Sequence, residues 1–270
     1  MVRYVSGVTV LVFLVGLTVP AADGATLRWD ANGTAEGQTD GGGTWLAAEQ
    51  WWDGGTNVSW NNTTPDSAII GNGGSGGTIS LGAILAGSVT FDGFTGTYTL
   101  SGTGSSLTNS GGIAISTNAG NVTINSIIGG SGGMTMNGPG KLILTSVANA
   151  YSGDTVVTDG ILQLGTGWQN AQSIPGGITS ATLTTGSNLE LNGGTVTLNY
   201  YLKRRLGDGP GELQITGGVS GFNHWQSDTY GRISISNSAN YELVWGSDFF
   251  KPDALVLNEE AAFPHQVVNI

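Results

Sequence analysis

The chain has two imidazoles, His224 and His265, and no cysteine. A serine or cysteine triad needs a histidine beside both an acid and a nucleophile, and zinc needs clustered histidine or cysteine ligands. His224, between Asn223 and Trp225 on a loop-like stretch, reads as a surface residue, and His265 is far away in sequence. Paired carboxylates could cleave a polysaccharide. The nearest such acids, Asp154 and Asp159, fall in or beside turns, where Asp binds its own backbone. Glu259 and Glu260 are adjacent, so in a strand they point to opposite faces. Lys203-Arg204-Arg205 is the one basic cluster. It suits either an anionic glycan or the protection of an edge strand. Gly71 to Gly76 fits GxGxxG, but a strand pattern follows where a dinucleotide site needs a helix N-terminus. The calcium-binding repeat Gly-Gly-x-Gly-x-Asp is also missing. No catalytic residue, cofactor-binding residue, metal ligand or cofactor is expected, and the chain reads as a non-enzyme.

Aromatic side chains offer a second kind of chemistry. Trp29, Trp45, Trp51, Trp52 and Trp60 fall within 32 residues. Exposed, Trp51 and Trp52 would form a platform for stacking against sugars. Buried, the cluster would close the open end of a stacked β structure, which otherwise invites pairing with another chain. Clustering near the N-terminus favours closure.

The elements that must position these residues are short strands. Runs of four to six residues alternate apolar and polar, as in Ser88-Val89-Thr90-Phe91, Asn121-Val122-Thr123-Ile124, Lys141-Leu142-Ile143-Leu144 and Glu212-Leu213-Gln214-Ile215. Gly, Asn, Ser or Asp bounds each run, and the runs recur every 8–12 residues or so, the interval of an all-β sandwich, barrel or solenoid. A solenoid is favoured: the strands are uniformly short, the apolar face is Ile, Leu and Val with few aromatics, and no linker interrupts about 71–221. At roughly 20–25 residues per coil the chain would hold about ten coils. A β-sandwich is the alternative reading of the same spacing.

Met1-Val2-Arg3 and the apolar run Val8 to Val19 read as a secretory signal peptide cleaved after Ala21, the run being short for a membrane span. No later stretch is apolar enough to span a bilayer. The division expected is a signal peptide at 1–21, a Trp-rich N-terminal cap region at 22–66 and a solenoid region at 67–270. Charged residues are 10% and the net charge is −11, with eight Lys and Arg. So few cations cannot build a phosphate-binding surface, which excludes nucleic acid and anionic membranes as partners. Without cysteine, stability must come from burial and backbone ladders, and the source reads as bacterial.

One stretch is specific. Gly132-Gly133-Met134 leads into Gly138-Pro139-Gly140-Lys141-Leu142-Ile143-Leu144. Then come Asn149-Ala150-Tyr151-Ser152-Gly153-Asp154-Thr155 and Gly160-Ile161-Leu162-Gln163-Leu164-Gly165. This closely resembles the autotransporter-associated β-strand repeat, also called the passenger-associated transport repeat, whose order of steps is all present in about 34 residues. Gly138, Gly140, Gly153 and Gly160 would allow positive φ at corners. Leu142, Leu144, Val156, Ile161 or Leu162, and Leu164 would face the core. Asn149 would bond in a turn, and Tyr151 would pack over the corner. The resemblance implies a right-handed parallel β-helix, secreted or on the outer surface of a bacterial cell. It implies a structural or adhesin-like role, with extracellular glycans or cell-surface components as partners. Long members of the family often end in an outer-membrane β-barrel, and no series of barrel strands is visible here. The competing functions are a carbohydrate-binding module and, behind it, a polysaccharide-degrading β-helix enzyme.

Overall fold

A period-two run places alternate side chains on opposite sides of the backbone, so a three- or four-residue strand buries two of them and exposes the rest. Such a strand has no stability alone and must stack on copies of itself. In the computed structural model, which describes residues 24–33, 38–165, 173–175, 186–198, 201–224, 232–236 and 243–257, that stacking is the whole architecture.

Four strands open the chain: β1 (Thr26–Trp29), β2 (Gly43–Thr44), β3 (Trp51–Trp52) and β4 (Asn57–Val58). Coils of three strands follow: β5 (Ser67–Ile70), β6 (Thr78–Ser80) and β7 (Ala83–Ala86); β8 (Val89–Phe91), β9 (Thr97–Ser101) and β10 (Ser106–Asn109); β11 (Ile113–Ile115), β12 (Asn121–Ile124) and β13 (Ile127–Gly129). Two coils then show two strands each among the described residues: β14 (Met134–Met136) and β15 (Lys141–Leu144), then β16 (Thr155–Val157) and β17 (Ile161–Leu164). The remainder are β18 (Leu189–Asn192), β19 (Thr195–Leu198) and β20 (Tyr201–Arg205); β21 (Leu213–Gly217), β22 (Val219–His224) and β23 (Arg232–Ser236); and β24 (Ala254–Leu257).

The strands of successive coils pair in parallel. The first face is a ten-stranded sheet in the order β21-β18-β16-β14-β11-β8-β5-β1-β3-β4, and the second is nine-stranded, β2-β6-β9-β12-β15-β17-β19-β22-β24. The third face is split into β7-β10-β13 and β20-β23. Among the described strands only β3 and β4 run antiparallel, at the N-terminal end of the first face. A sandwich would pair its strands antiparallel, so this is a parallel β-solenoid and the sandwich reading is excluded. Along the first face, paired positions advance from Ala68 to Val89, Ile113, Met134 and Thr155, steps within the expected coil length. The next step, from Thr155 to Leu189, is about ten residues longer.

Register builds the core as columns. On the second face Tyr98, Val122, Leu142, Leu162, Val196 and Phe222 stack in pairing order, as do Leu100, Ile124, Leu144, Leu164 and Leu198 beside them. All eleven are buried. Each such side chain contributes about 1.5–3 kcal/mol through burial, so the columns carry most of the stability. His224 takes the next place in the second column, opposite Leu198, and is buried. The surface reading of His224 is therefore corrected: period two carries it into the coil. No α-helix occurs among the described residues, and none there is long and apolar enough to cross a membrane.

Candidate functional site

Three constructions set this solenoid apart from a plain stack: the aromatic cluster beside its first strands, its repeat and, among the described residues, its interrupted third face. The aromatic cluster is built from tryptophan. Trp29, Trp45, Trp51 and Trp60 are buried in one cluster, with ring centroids 4.6–5.3 Å apart and tilted or edge-on geometries. Three indole N–H groups reach carbonyls: Trp29 to Gly41, Trp51 to Trp45 and Trp60 to Leu85. Trp51 is 0% exposed and has no face to offer a sugar. Its neighbour Trp52, with strand parity reversed, is half-buried.

Three aspartates, which the sequence did not single out, tie this end together. Asp30 is buried and accepts from the Thr39 amide and hydroxyl and from the Asn57 side chain. Asp66 accepts from the amides of Ala25 and Asn61. Asp40 accepts from the amides of Asn72 and Gly74 and, at 2.6 Å, from the Tyr98 hydroxyl. Burial, and then the Asp40 carboxylate, push the Tyr98 phenol well above its usual value. The one available signal was position: Asp30 follows Trp29, and each of the three lies where the chain enters or leaves a short strand. Asp40 also takes hydrogen from the glycine-rich run 71–76, which is a turn leading to β6, as the strand pattern required.

The repeat places its apolar residues as follows. Leu142, Leu144, Leu162 and Leu164 are buried. On β16 it is Thr155 and Val157 that face inward, while Val156 is turned outward, and on β17 Leu162 rather than Ile161 faces the core. The glycines serve mostly as spacers rather than turn-formers. Of the four corner glycines, Gly160 has positive φ, at 71°. A Cβ on Gly138 would stand 2.2 Å from the Ser116 carbonyl oxygen, on Gly140 2.6 Å from that of Gly120, and on Gly153 2.4 Å from the Gly133 amide nitrogen. These positions are glycine because the preceding coil's backbone lies against them. Gly165 also has positive φ and donates to Leu144.

Asn149 and Tyr151 lie inside the coil, not over its corner. Asn149 Oδ1 accepts from the Ile128 amide in the coil below, and Nδ2 donates to the Ser173 carbonyl in the segment above, both at 2.8 Å. The side chain thus spans three layers. Thr155 stands between Met134 and Leu189 in an otherwise apolar column. Its hydroxyl bonds Tyr151 at 2.8 Å and Ser187 at 2.7 Å. Burial pushes the Tyr151 phenol up to about 12.

Above this, Arg204 on β20 points into the coil at 0% exposure. Its terminal nitrogens donate to the carbonyls of Ser187, Glu212, Ile174 and Pro175. Burial lowers the guanidinium to about 10, still far above neutrality, so it is charged. Lys203-Arg204-Arg205 is therefore not one basic surface: its middle member faces inward. Asp159 closes a turn on the Gly160 amide, and Asp154, at the other end of β16, is exposed. Glu259, Glu260 and His265 lie outside the described residues. Among the described residues no cluster of three His, Cys, Asp or Glu is placed to hold a metal.

Residues 134–164 match the passenger-associated-transport-repeat family. Over 221 residues the chain is 35% identical to the Adhesin BmaC autotransporter of Brucella suis biovar 1 (strain 1330). That alignment covers 77% of this chain and 6% of the relative, so the chain spans a small part of the relative's length. No solved structure matches. The matched segment holds the stacked leucines, the glycine spacers and the bonds of Asn149, Tyr151 and Thr155 inside the coil, and the chain accordingly carries a passenger-associated transport repeat.

Proposed function

We propose that the chain is an exported, non-catalytic β-solenoid, held outside a bacterial cell as an adhesin-like passenger segment. In this reading residues 1–21 are the signal peptide, 22–66 the cap region and 67–270 the solenoid. The observation that carries the proposal is the buried Trp cluster packed beside the first rung of a parallel coil, where β1 pairs with β5. In this reading the cluster closes one end of the stack. A coil stopped at one end grows by adding layers at the other, which suits a segment that projects outward. Similarity to an autotransporter adhesin gives the same direction. Glycan or cell-surface recognition would use outward-facing residues such as Trp52, since Trp51 is enclosed.

The test is whole-cell display. Protease applied to intact cells expressing the native gene should remove this segment from the surface, and purified chain on beads should increase attachment to surfaces bearing extracellular glycans. A protected segment in intact cells, released only after lysis of the inner membrane, would sink the proposal.

A further inference from the structure

The third face carries no charge in its first coils. Residues 81–87, 102–110, 125–132 and 145–152 include no Asp, Glu, Lys or Arg, in a chain of net charge −11. Register stacks β7, β10 and β13 as three layers, and the Ala150 amide, donating to the Ile128 carbonyl, sets a fourth. Among the described residues between 24 and 165, the exposed large apolar side chains gather here. Leu85 on β7 and Ile127 on β13 are 42% and 39% exposed. Leu46, beside Gly82 at the start of β7, and Val147, in the segment above β13, are exposed as well. Apolar residues scattered singly need no explanation, but a set grouped on one uncharged face marks a contact surface.

The outward positions of this face form two columns. Ala83, Ser106 and Ile127 stand in one, and Leu85, Thr108 and Gly129 in the other. The first runs from small to large and the second from large to small. A two-fold axis lying along β10 exchanges the β7 and β13 layers of two facing copies and keeps the columns in place. It sets Leu85 over the partner's Gly129 and Ile127 over the partner's Ala83, while Ser106 and Thr108 each meet their own counterpart. Large side chains then fall on small ones, the self-complementarity that a two-fold contact requires. Charge points the same way, since two chains of net charge −11 repel least where a surface carries none. The edge of β7 offers no competing route to a second chain. Asn62 donates to the Ala83 carbonyl and accepts from the Leu85 amide, and the Trp60 indole donates to the Leu85 carbonyl. With that edge occupied by side chains, β7 meets a partner through its face instead.

We infer that the third face is a self-association surface, on which a second copy of this chain packs about a two-fold axis along β10. Four layers at about 4.8 Å and strands of about five residues at about 3.3 Å give roughly 300 Å² per copy. A stable pair needs about 800 Å² per partner, so the pairing is weak and suits copies crowded on one surface. For that biological sense it rests on the exported, surface-held reading. The pairing itself is measurable on soluble protein, whatever the cell displays.

The test is sedimentation velocity of the purified chain from about 10 μM to about 1 mM, a range that covers weak pairing. The sedimentation coefficient should rise reversibly with concentration toward that of a dimer. Leu85→Lys and Ile127→Lys should each weaken the pairing at least tenfold, although each lowers the net charge that drives copies apart. Both residues are exposed, so thermal melting should not change. Gly129→Ala should weaken it several-fold by filling the place opposite Leu85, since within the chain the added Cβ meets only Thr108 Oγ1, at 3.6 Å. Exchanging the two, Leu85→Ala with Gly129→Leu, should restore it. In this cysteine-free chain, Ser106→Cys should be linked to a second copy by a short bis-maleimide, and Thr135→Cys, outward on the first face, should not. A chain monomeric throughout the range, pairing that both lysine variants leave intact, or equal linking at Thr135→Cys would overturn the inference. Loss of surface display with pairing intact would instead remove the functional proposal and leave the self-association surface standing.

Discussion

The coils from β5 to β13 and the coils from β14 to β20 close their third face by different means. In the earlier coils β7, β10 and β13 form a backbone ladder, with Leu107 paired to Ile84 on one side and Ile128 on the other. Among the described residues that ladder ends at β13, and the third face next shows strands at β20. Between them, backbone bonds run from the Ala150 amide to the Ile128 carbonyl and from the Ser152 amide to the Gly130 carbonyl, and side chains add the rest: Asn149 to the Ile128 amide and the Ser173 carbonyl, Tyr151 to Thr155, Thr155 to Ser187, and Arg204 to four carbonyls. A backbone ladder accepts almost any side chain. A bond made by a carboxamide or a guanidinium accepts only that group, because every buried polar atom left over costs about 1–3 kcal/mol. The coils without a ladder are therefore the more fragile to substitution and the more distinctive in sequence.

Arg204 should show the difference most strongly. Arg204→Met keeps much of the buried volume but leaves the carbonyls of Ser187, Glu212, Ile174 and Pro175 without their donor, at a cost of about 4 kcal/mol. Because neighbouring layers are coupled only locally, hydrogen exchange should speed up over 186–217 and stay unchanged over 67–124. Uniform acceleration along the whole coil would show that the two regions do not differ in the way described.

Asn149 gives a sharper comparison, since Asn109 sits at the end of a laddered strand. Asn149→Ala removes two short bonds to buried backbone and should cost about 2–3 kcal/mol. The Ile128 amide should then exchange about fiftyfold faster. Asn109→Ala loses one short bond, from the Gly112 amide, and should cost about 1 kcal/mol. Equal costs would mean that the ladder beside Asn109 does not share the load.

This division also decides what could be read before the structure was known. Strand positions, coil length and the parallel stack follow from period-two runs and their spacing, because register repeats the same pattern in each layer. Leu142, Leu144, Leu162 and Leu164 were legible for that reason. Val156 was not: the turn before β16 shifts parity by one, and a hydroxyl, Thr155, takes the inward place. Tyr151 and Asn149 were recognisable as a motif, yet their inward direction depends on a missing third-face strand, which no local pattern announces. Gly138, Gly140 and Gly153 looked like turn residues because the backbone pressing on them belongs to a coil about twenty residues away. Arg204 was hidden for the same reason, since its carbonyl partners come from three separate stretches of the chain.

The smallest effect tests the bonding inside the coil through pH. The Tyr151 phenol is raised by burial to about 12 from an ordinary value near 10. Folding therefore favours the protonated phenol. That preference is fully present below about pH 10 and is lost as pH rises from there through about 12. Tyr151→Phe removes the ionisable group and with it this alkaline loss. It also removes the bond to Thr155, whose hydroxyl keeps Ser187 as a partner, so the cost at neutral pH should be only about 1 kcal/mol. Denaturant unfolding at pH 7 and at pH 11.5 should then show the variant weaker at the first and relatively stronger at the second. Tyr98 provides the contrast in the capped half. Its phenol is raised too, but it holds Asp40, and through it the Asn72 and Gly74 amides. Tyr98→Phe should thus cost more at pH 7 than Tyr151→Phe, because it takes a partner from a carboxylate rather than from a hydroxyl. The reverse order would place the critical hydroxyl in the repeat instead of the closure.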